Sequence, residues 1–316
     1  MIKTQDNRIV AYGNRIFENG LGRYQLLTSK YPVIIANPNG INVYQSICVD
    51  LNNRVVYLLA NGTLYLIDLN TWTVIGSMAF DAISTIYVDQ GLQMLAAVVM
   101  VNTQVLLKLY DLSDLSLIST FAISTIETQN FSSDYDYANS VIYVCRASGY
   151  GGNPISLTKV NVANLGIIAS VGNIGQGQYQ NYTNPGCMYD SVKNKVLITN
   201  GTGNMLQIYD GDMLTLLNGD VTKTFNKAGY DGFDIFYDIS TKTYNVLYHN
   251  NAGTIIPYAI NSTTLLPASP TTVPFFNTGI AGDAFFRSGV TFYTDTDNKR
   301  YCLQCFANGI NVFKYQ

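Results

Sequence analysis

The single histidine, His249, stands in Tyr248-His249-Asn250-Asn251, where an apolar run meets a turn. A Ser-His-Asp relay would depend on it, but no G-x-S-x-G elbow or other nucleophile signature accompanies it. It reads as a surface or turn-bonded residue. One histidine also excludes zinc or copper sites built on several imidazoles. Cys302 and Cys305 form a C-x-x-C, the spacing used by zinc sites and thiol redox motifs. It lies in the strand-like run Tyr301-Cys302-Leu303-Gln304-Cys305-Phe306. There a three-residue offset sends the two thiols to opposite faces. With no second C-x-x-C and no nearby histidine, no metal ligand set is expected. Cys48, Cys145 and Cys187 sit in apolar runs and read as buried free thiols. An odd count of five cysteines in 316 residues makes no disulfide framework.

Carboxylate chemistry falls on aspartate, because the chain has 19 Asp and only two Glu, Glu18 and Glu127. A glycoside hydrolase needs a pair of carboxylates flanking the scissile bond. Most of these Asp recur at the ends of apolar runs, where the side chain accepts from backbone N–H groups two residues on. Repetition of that kind marks a structural role, and a catalytic Asp should break it. Asp134, Asp231, Asp234 and Asp283 are off the repeat, and Arg146 and Arg287 are too few for an arginine triad. No catalytic residue is assigned. Asp295-Thr296-Asp297-Asn298 opens like a calcium loop. It has Arg300 where glycine is needed and Phe306 in place of the bidentate glutamate. Gly149-Tyr150-Gly151-Gly152-Asn153-Pro154 lacks the Lys-Ser/Thr of a phosphate cradle. No cofactor or metal is expected.

The elements that must carry these residues are strands. Glutamate favours helix interiors and aspartate favours turns, so the imbalance argues against a helical protein. The 24 Tyr and 26 Gly point the same way. Hydrophobic residues make up 47% of the chain, enough to bury a sizeable core. Charged residues make up 12%, about half of the ~25% usual in soluble domains. A net charge of −3 with no basic groove excludes a nucleic-acid partner. The longest apolar stretch, Leu92 to Val101, is broken by Gln93 and falls short of the ~20 residues of a membrane span. Met1 to Arg8 shows no apolar signal-peptide core. A soluble chain without membrane insertion is expected. N-x-S/T sequons at Asn61, Asn130, Asn181, Asn200 and Asn261 are about as many as chance supplies.

The organising signal is self-similarity every ~40–55 residues, the range of propeller repeats. Each unit opens with an apolar strand ending in Asp, then a polar turn, then a second strand. The first strands end at Asp50, Asp89, Asp136, Asp190, Asp238 and Asp295, which are the expected structural turns; Asp6 opens a shortened version. Second and third strands are joined by Asn-Gly or Gly-rich turns, as at Asn61-Gly62 and Asn308-Gly309. Asn-Gly suits a type I′ hairpin because both residues tolerate positive φ. A more irregular fourth strand follows. Four short antiparallel strands per unit, repeated, predict an all-β β-propeller. Six first strands, with extra strands at Ile9–Tyr12, Arg15–Phe17 and Tyr24–Thr28, predict seven blades of four-stranded sheets, with six as the alternative. One domain over residues 1–316 is expected, with the ring closing near the termini.

The run Val56 to Val74, with Val56-Tyr57-Leu58-Leu59-Ala60-Asn61-Gly62, Leu66-Ile67-Asp68 and Thr71-Trp72-Thr73-Val74, resembles the YVTN-type repeats of surface-layer β-propellers. The resemblance covers about a tenth of the chain. It implies propeller architecture and carries over no functional residue. One Trp and one His exclude a WD40 signature in every blade.

Low charge, abundant Tyr and the lack of a catalytic set predict a non-enzymatic structural or interaction module docked by its faces or rim into a larger assembly. Interface cores are depleted in Lys, Glu and Asp and enriched in Tyr. A phage or virus virion component is the assembly that fits, since it needs no signal peptide yet works outside a cell. The alternative is recognition of a glycan or cell-surface receptor through loops Ser148–Pro154 and Gly175–Pro185, with Tyr150, Asn153, Tyr179 and Tyr182 as candidate contacts. A glycoside hydrolase or lyase is the third.

Overall fold

The computed structural model describes residues 16–17, 24–32, 44–81, 84–124, 130–147, 155–174, 186–191, 193–199, 206–217, 231–238, 242–249, 255–261, 263–264, 290–306 and 309–315. Among them every named element is a strand. Near the N-terminus are β1 (Ile16–Phe17) and β2 (Tyr24–Lys30). Then come β3 (Tyr44–Asp50), β4 (Val55–Ala60), β5 (Thr63–Asp68) and β6 (Val74–Ala79), paired in that order into one sheet. β7 (Ser84–Asp89), β8 (Met94–Val101), β9 (Gln104–Asp111) and β10 (Leu117–Ser124) form the next. β11 (Asn130–Asp136), β12 (Val141–Ala147), β13 (Ile155–Asn161) and β14 (Gly166–Ile174) form the third. β15 (Gly186–Asp190), β16 (Lys195–Thr199) and β17 (Leu206–Asp210) follow as a sheet of three. β18 (Asp231–Asp238), β19 (Thr243–His249) and β20 (Ile255–Asn261) take β1, in parallel, on the β18 side. β21 (Val290–Thr294), β22 (Arg300–Phe306) and β23 (Gly309–Tyr315) take β2 on the β23 side.

The described residues thus form five four-stranded sheets, and the expected count of seven blades, or six, is overturned. The N-terminal strands start no blade of their own. β2 runs antiparallel to β23 and supplies the fourth strand that the last repeat lacks. β1 attaches beside β18. The β15–β17 sheet keeps only a trace of a fourth strand, the single bridge between Tyr209 and Leu216. The expected strand at Ile9–Tyr12 lies outside the described residues. Five of the sheets have the expected four strands, although β1 joins its sheet in parallel.

The strands belong to two compact units, one holding β1 and β11–β20, the other β2–β9, β21–β23 and β10 as far as Ala122. In the second unit β4 is buried along its whole length, because both of its faces are covered. Val56, Leu58 and Ala60 meet Leu303, Ile310 and Val312 on one side. Val55, Tyr57 and Leu59 meet Val88, Leu95 and Val99 on the other. A strand covered on both faces reads as a continuous apolar run in place of an alternating one. In the first unit Tyr143, Cys145 and Leu157 pack with Cys187, Tyr189, Val196 and Ile198. Each buried Val, Leu or Ile among them contributes about 1.5–3 kcal/mol by leaving water. Burial falls off across the sheet. In β5 only Leu64 and Ile67 are buried, and β6 is mostly exposed.

Candidate interaction surface

The Asp that end first strands are held by their own turns. Asp50 accepts from Asn53 N at 3.0 Å and Asn53 Nδ2 at 2.8 Å. Asp89 accepts from Leu92 N at 3.0 Å, and Asp190 from Lys193 N at 3.1 Å. Asp136 accepts from Ala138 N at 3.1 Å and Asn139 Nδ2 at 2.7 Å. All four are buried. Asp295 accepts from Thr296 N at 2.6 Å and pairs with Arg54, whose Nη2 lies 3.3 Å from Oδ2. Burial pushes the Asp295 carboxyl up, but the hydrogen bond and charge of Arg54 outweigh it, and the group sits below the usual carboxylate range. Asp238 ends β18. Asn61 and Gly62 have φ of 49° and 72°, the left-handed values of a two-residue hairpin turn. Asn308 lies outside the described residues, and Gly309 opens β23.

A second Asp or Asn ends the third strands. Asp68 Oδ1 accepts from Asn70 N at 2.9 Å and Thr71 N at 2.7 Å. Asp111 accepts from Ser113, Asn161 from Asn164, Asp210 from Asp212 and Met213, and Asn261 from Thr263 and Thr264. The Asp68 carboxyl lies below its ordinary range, chiefly through the Thr71 N–H. Asp111 and Asp210 are likewise lowered, by Ser113 Oγ and by Met213 N–H respectively. Both kinds of turn place a left-handed residue four positions on, except after Asp295, where it is Asn298, three positions on. Arg54, Gln93, Ser140, Asn194 and Lys242 follow the first strands; Trp72, Leu115, Leu165 and Leu214 follow the third. The two turns interlock. Leu69 N donates to Arg54 O, Leu112 N to Gln93 O, Val162 N to Ser140 O and Gly211 N to Asn194 O.

Of the off-repeat aspartates, Asp134 on β11 is 2% exposed. Its Oδ2 accepts from Tyr189 N on β15 at 2.7 Å and its Oδ1 from Tyr135 N at 3.0 Å. Its lone pairs hold two first strands together, as Ser46 Oγ on β3 does by accepting from Ile86 N on β7 at 3.2 Å. Asp231 and Asp234 lie in β18 and His249 ends β19, its backbone paired with Asp231. Asp283, Arg287, Tyr150, Asn153, Tyr179 and Tyr182 lie outside the described residues. All five cysteines are buried and free. Burial pushes the Cys145 and Cys305 thiols far up, away from thiolate chemistry. Among the described residues no group of three His, Cys, Asp or Glu could hold a metal ion, and no helix is long and apolar enough to cross a membrane.

Sequence reasoning missed two features. The first is Lys159, a lysine inside the apolar strand β13 that is only 8% exposed. Its Nζ donates to Gly211 O at 2.7 Å and lies over the Tyr143 ring, while Tyr143 Oη donates to the same carbonyl at 2.9 Å. Tyr143 stacks on Tyr189 with centroids 4.8 Å apart. This is a tie between the β11–β14 and β15–β17 sheets, and a lone Lys in an apolar run was its only signal. The second is a pair of exposed aliphatics at the start of fourth strands. They are Val74 and Ile75 on β6, Leu117 and Ile118 on β10, Ile167 and Ile168 on β14, and Leu216 and Leu217 after β17, between 39% and 58% exposed. Each pair stands six and seven residues after the Asp or Asn that ends the third strand. In two sheets the ladder slips at this point. Leu66 and Ile67 face Gly76 and Val74, leaving Ile75 as the extra residue; Lys159 and Val160 face Ala169 and Ile167, leaving Ile168. A bulge interrupts the alternation of faces, so neighbouring side chains need not point to opposite sides. The pair is therefore a product of backbone geometry repeated from sheet to sheet.

No family model matches the sequence, and no curated protein matches it. The YVTN-type resemblance of one unit thus gains no support at family level. The structure is similar to the β-propeller domain of Cps50 (Swd1) from Myceliophteria thermophila, with a TM-score of 0.52 and 9% identity over 93% of this chain and 100% of that one. It is also similar to KlAtg21 in its complex with the coiled coil of AgAtg16, with a TM-score of 0.54 and 10% identity over 90% of this chain and 83% of that one. The chain has a β-propeller fold. At such identities the likeness is one of fold.

Proposed function

We propose that residues 1–316 form one propeller domain that acts as a non-enzymatic docking module of a larger assembly, through the fourth strands of its blades. The observation that carries this reading is the exposed aliphatic pair at one offset in successive repeats. A single exposed Leu or Ile needs no explanation, but a pair recurring at the same place in four successive repeats does. The low charged fraction of 12% supports it, since interface cores are poor in Lys, Glu and Asp. Asp50, Asp89, Asp136, Asp190 and Asp134 support it too, with their carboxylates taken up by turn and inter-sheet N–H groups. A propeller of this fold occurs in complex with a coiled coil, an analogy at the level of fold.

The test is the size at which the tagged chain migrates in a gentle extract of the cells or particles that produce it. A size well above the monomer is expected. It should return toward the monomer in the triple variant Ile75→Glu, Ile118→Glu, Ile168→Glu, with the melting temperature kept. Migration of the unsubstituted chain as a monomer overturns the reading.

A further inference from the structure

The fourth strands β6 and β10 belong to one unit up to Ala122, and no described strand lies beyond either in its sheet. Each is an edge among the described strands, a row of backbone N–H and C=O groups that water solvates and another strand can match. Proteins guard such edges with charge, proline or bulges. β6 (VIGSMA) and β10 (LISTFAIS) contain neither a charged residue nor a proline. The bulge at Ile75 blunts only the start of β6, and Gly76, Ser77, Met78 and Ala79 continue in regular register. β14 in the other unit differs, with two slips in its pairing, and is blunted along its length.

We propose that β6 and β10 are where two copies of this chain meet, strand against strand. The claim rests on the reading of the fourth strands as the docking surface and names the partner. The edges are self-complementary in size. Exposed side chains run large to small in both, from Val74 and Ile75 to Ser77 and Ala79, and from Leu117 and Ile118 to Thr120 and Ala122. Antiparallel pairing of two such strands about a twofold axis sets Val74 opposite Ala79, with the bulged Ile75 skipped and Ser77 facing itself, or Ile118 opposite Ala122 with Thr120 facing itself. The large end of one edge thus lies beside the small end of the other. An isologous contact needs this self-match, and an unrelated strand has no reason to supply it. Ser, Thr and Ala also leave room for strands ~4.8 Å apart. A net charge of −3 over the chain offers little repulsion between copies.

The experiment is sedimentation and light scattering of the purified full chain from low to high micromolar concentration. A dimer or larger multiple is expected. The double variant Ser77→Lys, Thr120→Lys should raise the dissociation constant about a hundredfold or more, because like charges would face each other across the twofold. Both positions point away from the core, and circular dichroism and the melting temperature check that the fold is kept. Gly172→Lys on β14, where an added Cβ meets nothing within 4 Å, should leave association unchanged. Should the double variant fail to fold, Thr120→Lys alone is measured against Gly172→Lys. A chain that stays monomeric throughout overturns the proposal, as does association untouched by the edge lysines. A purified monomer that still migrates in a large native complex overturns the pairing of copies alone and leaves the docking module standing.

Discussion

At the scale of residues, aspartate in this propeller acts through its acceptor oxygens. Asp134 is the clearest case, since its carboxylate receives backbone N–H groups from two first strands. Asp134→Ala would strand both donors in a buried place. The expected cost is about 2–3 kcal/mol, read as a lower urea midpoint. An unchanged midpoint would mean that those N–H groups have other partners. Asp68, Asp111, Asp210 and Asp295 are held below their ordinary range by Thr71 N–H, Ser113 Oγ, Met213 N–H and, against burial, Arg54. A carboxyl lowered from its unfolded value of about 3.9 contributes stability above that value and loses it as pH falls through the folded value. Unfolding free energy should therefore decline below about pH 4. The fourfold Asp→Asn variant, which keeps an acceptor in each turn, should show a shallower decline. Equal acid slopes in the two proteins would refute the linkage.

At the scale of elements, the blade is punctuated by two interlocked turns with a left-handed residue three or four positions after Asp or Asn. Only turns rich in Asn and Gly announce positive φ in the sequence. Gln93, Leu115 and Leu165 do not, yet they adopt φ of 54°, 59° and 55°. Their conformation is imposed by the Asx-type bonds before them and by the carbonyl each first turn offers to the second. The left-handed region costs an L-residue about 1–2 kcal/mol, so glycine should relieve strain where the side chain packs against nothing. Gln93 is exposed and its side chain makes only a solvent-accessible bond to Gln90 O, so Gln93→Gly is expected to raise stability by about 0.5 kcal/mol. Gln93→Val should lower it, β-branching being the worst fit to that region. Chemical denaturation of the pair checks the sign.

At the scale of the whole molecule, β2 near one end of the chain and β23 near the other share a sheet. Ser29 and Asn311 face each other in the β2–β23 register, with Ser29 Oγ donating to Asn311 Oδ1 at 2.8 Å. Paired residues in such a ladder stand ~4.5–5.5 Å apart at Cα, within reach of a disulfide. Oxidised Ser29→Cys, Asn311→Cys should melt higher than its reduced form, with about 2–4 kcal/mol of added stability. Failure of the bond to form would contradict the pairing. Strands, hairpins and a repeated unit were all legible in the amino-acid order, because alternation, Asn61-Gly62 and the recurrent Asp are local signals. The blade count was not, since nothing local to Tyr24–Lys30 says that these residues close the last sheet. The apolar pairs were visible as letters, Val74-Ile75 or Ile167-Ile168, but their exposure was not. Alternation would bury one of each two neighbours, and only a slip in the ladder with the third strand leaves both outside. The sequence by itself determined which segments are strands and where they turn, through contacts a few residues apart. Which strands pair over hundreds of residues, and which edges stay open, was decided by the tertiary structure, because those pairings depend on contacts that no short window of sequence contains.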